Sequence, residues 1–297
     1  MFSVVTVWEF KGGWEMSFDE DIELASAIGY RGMDLDLGVR DTMLEIYHSR
    51  GIDHLRDRFA RRNVVPAGWQ LTETWRGTDA EHRVLMESLP LLCKVSRGIG
   101  CPRIFTFLHS WSDSRDYREN FDWHVGRLQP VAKLAREFGI SLSLEWMGPP
   151  SLRAGKNHEF IHTMPQLVEL IEAIGQDNVG ILLDSWHWHI SGATLSDLRA
   201  LPPGMVTYVH FCDAPAGVAL ADYQDWEREF AGDGVIDLDA FMTYLVEVNY
   251  DGPFMPGVPP DTKSVQGLSV RAAATRCYQT AQHFFAKFSV EDAPPST

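Results

Sequence analysis

Three short apolar runs of this chain each carry, at or near the end, a side chain that can bind a metal or move a proton. The first run ends with Glu145 and a tryptophan, the second ends on Asp184, and the third carries His210. Each run has the length and apolar character of a buried strand. Because the carboxyl ends of parallel strands meet at one mouth of a (β/α)8 barrel, the three side chains are predicted to converge there.

Two carboxylates and one imidazole form a suitable ligand set for a divalent cation. Oxygen ligands suit Mg2+ or Mn2+, and the histidine also admits Zn2+ or Co2+. Three protein ligands leave positions open for water or substrate, as catalytic metal sites require. His187, three residues after Asp184, is a further candidate for hydrogen bonding or proton transfer. Each residue also has a structural alternative, since a strand-end carboxylate can cap a helix and a histidine can be a hydrogen-bonded core residue.

The rest of the chain supplies the elements that would position these side chains. Short apolar runs alternate with amphipathic segments such as 164–174 and 237–245, whose apolar residues recur at helical spacing. Alternating strands and helices predict a parallel sheet, and eight repeats predict its closure into a single α/β barrel over residues 1–290. Residues 291–297 are predicted to be a flexible, solvated tail. The eight strands are predicted at residues 4–7, 32–36, 64–69, 103–107, 141–146, 180–184, 207–211 and 253–258.

Composition excludes several classes of protein. The chain has 41 acidic and 26 basic residues and a formal net charge of −15, which disfavours a nucleic-acid partner because such binding needs a basic face. The N-terminus lacks the features of a signal peptide, and no stretch reaches the length of a membrane-spanning helix. The four cysteines have no paired spacing, which favours reduced, buried thiols and a cytoplasmic location.

In several segments the chain resembles the sugar-phosphate isomerase/epimerase family with the xylose isomerase-like barrel. The resemblance is strongest in Leu-Glu-Trp-Met-Gly-Pro at 144–149, His-Phe-Cys-Asp-Ala-Pro at 210–215 and Gly-Asp-Gly-Val-Ile-Asp at 232–237. That family includes ketose 3-epimerases, hydroxypyruvate isomerase and inosose dehydratases. The resemblance therefore implies an isomerase, epimerase or lyase of carbohydrate metabolism that acts on a small polyhydroxy ketone. Barrels of this family often pair, so it also implies a homo-oligomer.

The resemblance further implies a divalent metal, commonly Mn2+ or Mg2+, held by four side chains. The first three ligands correspond to Glu145, Asp184 and His210. The fourth should be a glutamate at the end of the eighth strand, but this chain has Gly257 there. Asp261 is the nearest downstream carboxylate, and it is the alternative ligand if the loop folds back.

The missing glutamate changes the chemistry that the resemblance implies. In the family's epimerases two metal-bound glutamates flank the substrate, one removing a proton and the other returning it. Here only Glu145 remains in such a role, which favours single-base isomerisation or dehydration through an enediolate. His187 is implied to contact a substrate oxygen and to share proton transfer or carbonyl polarisation with Glu145. The alternative is a catalytically impaired barrel that acts as a binding protein or a subunit of a complex.

A nuclease of the endonuclease IV type shares this barrel and is a third alternative. It needs a richer set of zinc ligands and a basic groove facing DNA, and neither is visible in this sequence.

Further side chains near strand ends and in the following loops are candidate substrate contacts. Aromatic rings stack on sugar faces, and basic side chains bind anionic groups, although tryptophan at a barrel rim is equally typical of packing. Trp8 is a further aromatic candidate, and Glu9 and Asp36 are weaker candidates for polar substrate contacts or a substitute ligand. The residues predicted to bind substrate are His109, Trp111, Arg153, Trp186 and Asp213.

Overall fold

The architecture is given by a computed structural model that describes residues 1–7, 10, 12–37 and 42–295, apart from the side chain of Trp14. The strands are β1 (Phe2–Val5), β2 (Gly32–Leu35), β3 (Val65–Gln70), β4 (Arg103–Phe107), β5 (Trp111–Ser112), β6 (Ser141–Glu145), β7 (His158–Glu159), β8 (Val179–Asp184), β9 (Val206–Phe211) and β10 (Pro253–Pro256). The helices are α1 (Phe18–Ile28), α2 (Thr42–Arg50), α3 (Ile52–Arg62), α4 (Asp79–Gly98), α5 (Tyr117–Glu137), α6 (Met164–Ile174), α7 (Ser185–Ile190), α8 (Leu195–Arg199), α9 (Leu238–Glu247) and α10 (Val270–Lys287).

Eight of these strands close into a parallel barrel. Their order around it is β1, β2, β3, β4, β6, β8, β9 and β10, and β10 pairs again with β1. This confirms the predicted (β/α)8 fold, and every predicted strand corresponds to one of the eight. The first strand begins earlier than expected, because Phe2 already pairs with Pro253 while the ladder to β2 ends at Val5.

Burial on both faces explains why the strands read as nearly continuous apolar runs. All six residues of β8 are buried, as expected for a parallel strand covered by helices outside and by side chains inside. A small cluster with members from six strands, including Phe105, Leu182 and Tyr208, packs together within the barrel. One polar group joins this interior, since Asp34 accepts hydrogen bonds from Thr6 Oγ1 (2.6 Å) and Tyr208 Oη (2.5 Å).

The helices begin and end where their capping residues predict. Helix α6 starts at Met164 behind a capping box formed by Thr163 and Gln166. Its last residue is followed by Gly175, whose φ of 65° is the left-handed conformation that favours glycine. Asp237 accepts the N–H of Ala240 and so caps α9. Within the described ranges, no helix combines the length and apolar character needed to cross a bilayer.

The two long loops that follow β6 and β9 are largely irregular. The first contains one turn of 3-10 helix at Pro150–Leu152 and the two-residue β7. Strand β7 pairs antiparallel with β5, so that the loops after β4 and β6 are joined. All four cysteines lie within the described ranges, are buried and form no disulfide, as the sequence predicts.

The segment after α10 contacts the start of the barrel. Asp292 accepts hydrogen bonds from the N–H of Ser3 (2.7 Å), from Ser3 Oγ (2.8 Å) and from Gln282 Nε2 (2.6 Å). Asp292 is therefore held in place, unlike the solvated tail that the sequence predicts. The last two predicted tail residues lie outside the described ranges.

A buried histidine makes the stability of this fold dependent on pH. His124 in α5 donates through Nδ1 to the carbonyl of Asn120 (2.7 Å), and the rings of Trp75, Trp123 and Phe160 surround it. Burial lowers the pKa of His124 to about 3. Between that value and its ordinary pKa of about 6.5, the unfolded chain binds a proton that the folded chain does not. The contribution of the neutral His124 to the free energy of unfolding is complete above about pH 6.5 and is lost as the pH falls towards 3.

We expect His124→Phe to reduce the pH dependence of the unfolding free energy. Between about pH 6 and pH 4 its slope should be smaller than that of the wild type by about 1.4 kcal/mol per pH unit, the effect of one proton. Urea denaturation at a series of pH values measures the slope. His48→Gln, at an exposed histidine of α2, is the control and should leave it unchanged. Equal slopes for His124→Phe and the wild type would contradict the prediction.

Candidate metal centre

The barrel brings the three predicted ligands to one mouth. Asp184 is the last residue of β8 and lies opposite His210 of β9 in the strand register. Glu145 is the last residue of β6 and lies opposite Phe107 at the end of β4. Glu145 and Asp184 are buried, and the side chain of His210 is only 14% exposed.

The ligand atoms lie within reach of one shared ion. His210 Nδ1 is 3.4 Å from Glu145 Oε1 and 4.0 Å from Asp184 Oδ2. His187 Nε2 is 4.0 Å and 3.9 Å from the same two oxygens. Glu145, Asp184 and His187 offer ligand atoms that all lie within 4.8 Å of one another. Two ligands with metal bonds of about 2.1 Å are at most about 4.2 Å apart, so these four measured distances are compatible with a common cation.

The state of Glu145 supports a cation site. Its Oε1 atom is buried and has no hydrogen-bond partner in the described part of the chain. A buried carboxylate oxygen without a partner is costly, because it has lost its water without replacement. A divalent ion bound beside Asp184 and His210 would neutralise this oxygen. The residues present therefore fit a divalent metal.

Hydrogen-bond donors face both ring nitrogens of His187. The N–H of Gly148 donates to His187 Nδ1 (3.2 Å). Glycine allows this approach, since a Cβ at position 148 would lie 3.0 Å from the carbonyl oxygen of His187. Arg228 Nη2, which can only donate, lies 3.3 Å from Nε2 and also donates to Asp225 Oδ1 (3.1 Å). A neutral imidazole has one ring-nitrogen lone pair available in its plane, so His187 has one acceptor for these two donors.

The two histidines differ in what their ring nitrogens face. A metal ligand must present a free lone pair, and a hydrogen-bond donor already faces each ring nitrogen of His187. His187 thus belongs to the hydrogen-bond network beside the ligands. His210, whose Nδ1 faces both carboxylates, is the better imidazole ligand.

Arg228 belongs to this site although sequence reasoning missed it. Its Nη1 donates to Asp184 Oδ2 (2.7 Å), and its guanidinium lies 5.3 Å from the ring centre of Trp186. Burial alone would raise the pKa of Asp184, but Arg228, His187 and His210 outweigh it and hold that pKa below its usual range. One signal could have indicated Arg228, which is the only basic residue between Asp213 and Val235.

Asp213 organises the loop after β9. Its two carboxylate oxygens accept four backbone N–H groups, those of Ala214, Gly232, Gly234 and Ile236, at 2.8–3.0 Å. Both oxygens therefore have partners in the loop backbone, and the substrate contact of Asp213 stays a prediction. The backbone of Asp213 also pairs with Glu229, and this pairing brings the neighbouring Arg228 back to the barrel mouth.

Two more predicted substrate contacts have structural partners. Arg153 donates through Nη1 to the carbonyls of Gly148 (3.0 Å) and Pro149 (3.3 Å) and so braces the loop after β6. Trp186 is fully buried, and its ring lies against Arg228 and packs edge-on against Tyr223. Trp186 therefore supports the arginine.

His109 and Trp111 form an aromatic pair beyond the end of β4. Their rings are stacked, with centres 5.3 Å apart and planes 6° apart. Lys156 lies on the loop after β6, and its Nζ is 3.5 Å from the centre of the Trp111 ring. His109 is exposed and Trp111 is half-buried, so both remain candidates for contact with a ligand.

The end of the eighth barrel strand has no carboxylate. Gly257 follows β10, and its N–H donates to the carbonyl of Phe211 (3.2 Å). Asp261 is exposed, which does not support it as a substitute ligand. Asp36 is buried after β2. The candidates Trp8 and Glu9 lie outside the described residues.

We expect Asp213→Asn to destabilise the protein and to loosen the loop after β9. In the wild type the backbone N–H groups meet carboxylate oxygens. The amide nitrogen of the asparagine would place a donor against some of these N–H groups, so the free energy of unfolding should fall by about 3 kcal/mol. Urea denaturation measures this loss, and limited proteolysis should cut within residues 214–235 earlier than in the wild type. Asp222→Asn, at an exposed position of the same loop, should change neither result. Wild-type stability of Asp213→Asn would show that the four N–H contacts matter little.

Comparison with known proteins agrees with this architecture. Residues 22–276 match the family described as the xylose isomerase-like TIM barrel. An inosose isomerase from Halalkalibacterium halodurans is 23% identical over 237 residues, 78% of this chain and 79% of that protein. A ketose 3-epimerase from Arthrobacter globiformis is 27% identical over 150 residues, 48% of this chain and 45% of that protein. A 3-dehydroshikimate dehydratase from Pseudomonas aeruginosa is 30% identical over 119 residues, 39% of this chain and 17% of that protein.

Solved structures share the fold along nearly the whole chain. A xylose isomerase domain protein from Alicyclobacillus acidocaldarius superposes with a TM-score of 0.86 at 26% identity, covering 97% of this chain and 99% of that one. The IolI protein with a bound zinc atom superposes with a TM-score of 0.76 at 19% identity, with the same coverage. The names of the curated relatives point to an enzyme of the isomerase, epimerase or lyase class. With a family match over residues 22–276, this chain belongs to the xylose isomerase-like TIM barrel family.

Proposed function

We propose that this chain is a divalent-metal-dependent enzyme that isomerises, epimerises or dehydrates a keto-sugar or a cyclic polyol ketone. The observation that carries the proposal is the cluster of Glu145, Asp184 and two histidines at the barrel mouth, with Glu145 Oε1 buried and without a hydrogen-bond partner in the described part of the chain. Relatives named as an inosose isomerase, a ketose 3-epimerase and a 3-dehydroshikimate dehydratase support this class of reaction.

Glu145, Asp184 and His210 would hold the ion. Two carboxylates favour Mn2+ or Mg2+, while the imidazole also admits Zn2+ or Co2+, and zinc is bound in one similar structure. When bound, a divalent ion supplies Lewis-acid polarisation of the substrate carbonyl. The cytoplasmic location and the homo-oligomer expected from the sequence stay predictions.

Glu145 is the proposed base. Its Oε1 atom has no hydrogen-bond donor in the described part of the chain, so it can take a proton from the carbon next to the substrate carbonyl and leave an enediolate. His187 Nε2 lies 4.0 Å from the same carboxylate oxygen. With Nε2 protonated, His187 would donate a hydrogen bond to a substrate oxygen bound between them, so polarisation is its proposed role.

Gly257 limits what can follow proton removal. A second carboxylate on the opposite side would return the proton there, and the described part of the mouth offers none at the end of β10. Glu145 can return its proton to the neighbouring carbon, which completes an isomerisation. Alternatively the enediolate expels a β-hydroxyl group. That group takes the proton from Glu145 and leaves as water, and the remaining product is a conjugated enone. We therefore propose single-base chemistry.

A binding role is the second candidate, and one observation favours it. Arg228 pairs with Asp184 through Oδ2, the oxygen that faces both histidines. A barrel with Gly257 at the end of its eighth strand and with this ion pair could bind a ligand without catalysis. Metal binding separates the two candidates.

We expect the purified protein to bind about one divalent ion per chain. A Glu145→Gln and His210→Ala double variant should lose it, because two of three ligands are gone. Elemental analysis after dialysis against MnCl2 or ZnSO4 measures the stoichiometry, and calorimetric titration measures the affinity. Glu172→Gln, at an exposed carboxylate of α6, is the control and should bind like the wild type. A wild-type protein that binds no ion in excess Mn2+ and Zn2+ would favour the binding role.

We expect the metal-loaded protein to exchange the proton next to the carbonyl of its substrate with solvent. A panel of keto-sugars and cyclic polyol ketones in D2O, followed by NMR, detects this exchange, and ultraviolet absorbance detects an enone if water is lost. Glu145→Gln should slow the reaction by about 10²–10⁴, the usual contribution of a general base, while Glu172→Gln should not. Unchanged exchange in Glu145→Gln would exclude Glu145 as the base.

A further inference from the structure

The position of Arg228 conflicts with simple metal binding at Asp184. Its Nη1 lies 2.7 Å from Asp184 Oδ2 and its Nη2 lies 3.3 Å from His187 Nε2. Asp184 Oδ1 already accepts the N–H of Trp186 (2.7 Å), so Oδ2 is the oxygen left for a metal. The guanidinium therefore contacts the metal-facing oxygen of the central ligand.

Arg228 is fixed at this place from several directions. Its Nε donates to the carbonyl of Asp225 and its Nη2 donates to the carboxylate of Asp225. Its guanidinium also lies against the ring of Trp186, which is fully buried. Ser264 Oγ donates to the backbone carbonyl of Arg228 (3.0 Å). The adjacent Glu229 is paired with Asp213. A side chain held this firmly is part of the resting site, and it cannot leave without breaking several contacts.

The charges at the mouth make the arginine and a metal ion alternatives. Glu145 and Asp184 bring two negative charges, and Arg228 already offsets one of them at a distance that permits a direct hydrogen bond. A dication at the same oxygen would lie beside a fixed positive charge in a poorly solvated place, where repulsion is strong. A glutamate at position 257 would have offset this repulsion, and the chain has Gly257 instead.

We propose that Arg228 is an internal competitor of the divalent ion, so that metal binding requires the guanidinium to move away from Asp184. This inference rests on the proposed function, since it takes the metal site as given. Because Arg228 lies on the loop after β9, metal binding and the position of that loop are linked: the ion releases the arginine, which then becomes available to a substrate oxygen.

Metal affinity tests the proposal without any substrate. Arg228→Met keeps most of the side-chain volume and removes the charge, and it should bind Mn2+ at least tenfold more tightly than the wild type in calorimetric titration. Arg228→Lys keeps a charge and should gain less. The matched control is Arg153→Met, because the Arg153 and Arg228 side chains are both 10% exposed. Arg153 donates to carbonyls of its own loop and lies near Glu159, away from Asp184. This control should not bind more tightly.

The outcomes separate this inference from the proposed function. Tighter binding by Arg228→Met, together with a manganese-bound crystal structure in which Nη1 has left Asp184 Oδ2, supports the competition. Equal or weaker binding by Arg228→Met, with a wild type that does bind metal, overturns the competition and leaves the proposed function standing. Absence of binding in the wild type and in Arg228→Met overturns both. A bound ion with the Arg228–Asp184 hydrogen bond intact also overturns the competition.

Discussion

The two oxygens of Asp184 hold together the parts of the site. One oxygen accepts the N–H of Trp186 and caps α7, which turns the chain sharply at the end of β8. That turn places His187 over the same mouth that its strand reaches. The other oxygen faces Arg228, His187 and His210. The turn after β8 and the negative charge that attracts a cation thus both depend on one buried carboxylate.

The barrel and the core of its site could be predicted because they follow from regular structure. Apolar runs of strand length alternate with helical patterns, and a parallel barrel has only one mouth at which the strand ends can meet. Asp184 and His210 therefore had to be neighbours, and the strand register puts them opposite each other. The start of α6 was also predictable, because a threonine before the helix and a proline in its first turn are a local signal for a helix start.

Features of the long loop could not be predicted because irregular backbone has no period. Asp213 looks like any other strand-end carboxylate in the sequence, and only the folded chain shows four N–H groups converging on it. Arg228 lies far along the same loop from His210, and its place depends on the pairing of Glu229 with Asp213. The hydrogen bonding of His187 likewise depends on Gly148, which approaches from another loop. Such long-range contacts leave no mark in local spacing.

The loop after β9 has an exposed tip, and contacts hold the chain in place at the base of that tip. Asp213 holds its base, and Tyr223 Oη donates to the carbonyl of Pro215 (2.7 Å) and so closes off the segment 216–222, which is mostly exposed. Residues can be inserted or exchanged in that tip without displacing the anchors, since loop length costs little free energy. Variation there would reshape the rim of the mouth while the residues beneath stay in place. The tip is thus the natural region in which to diversify the chain for new ligands, in evolution or in a designed library.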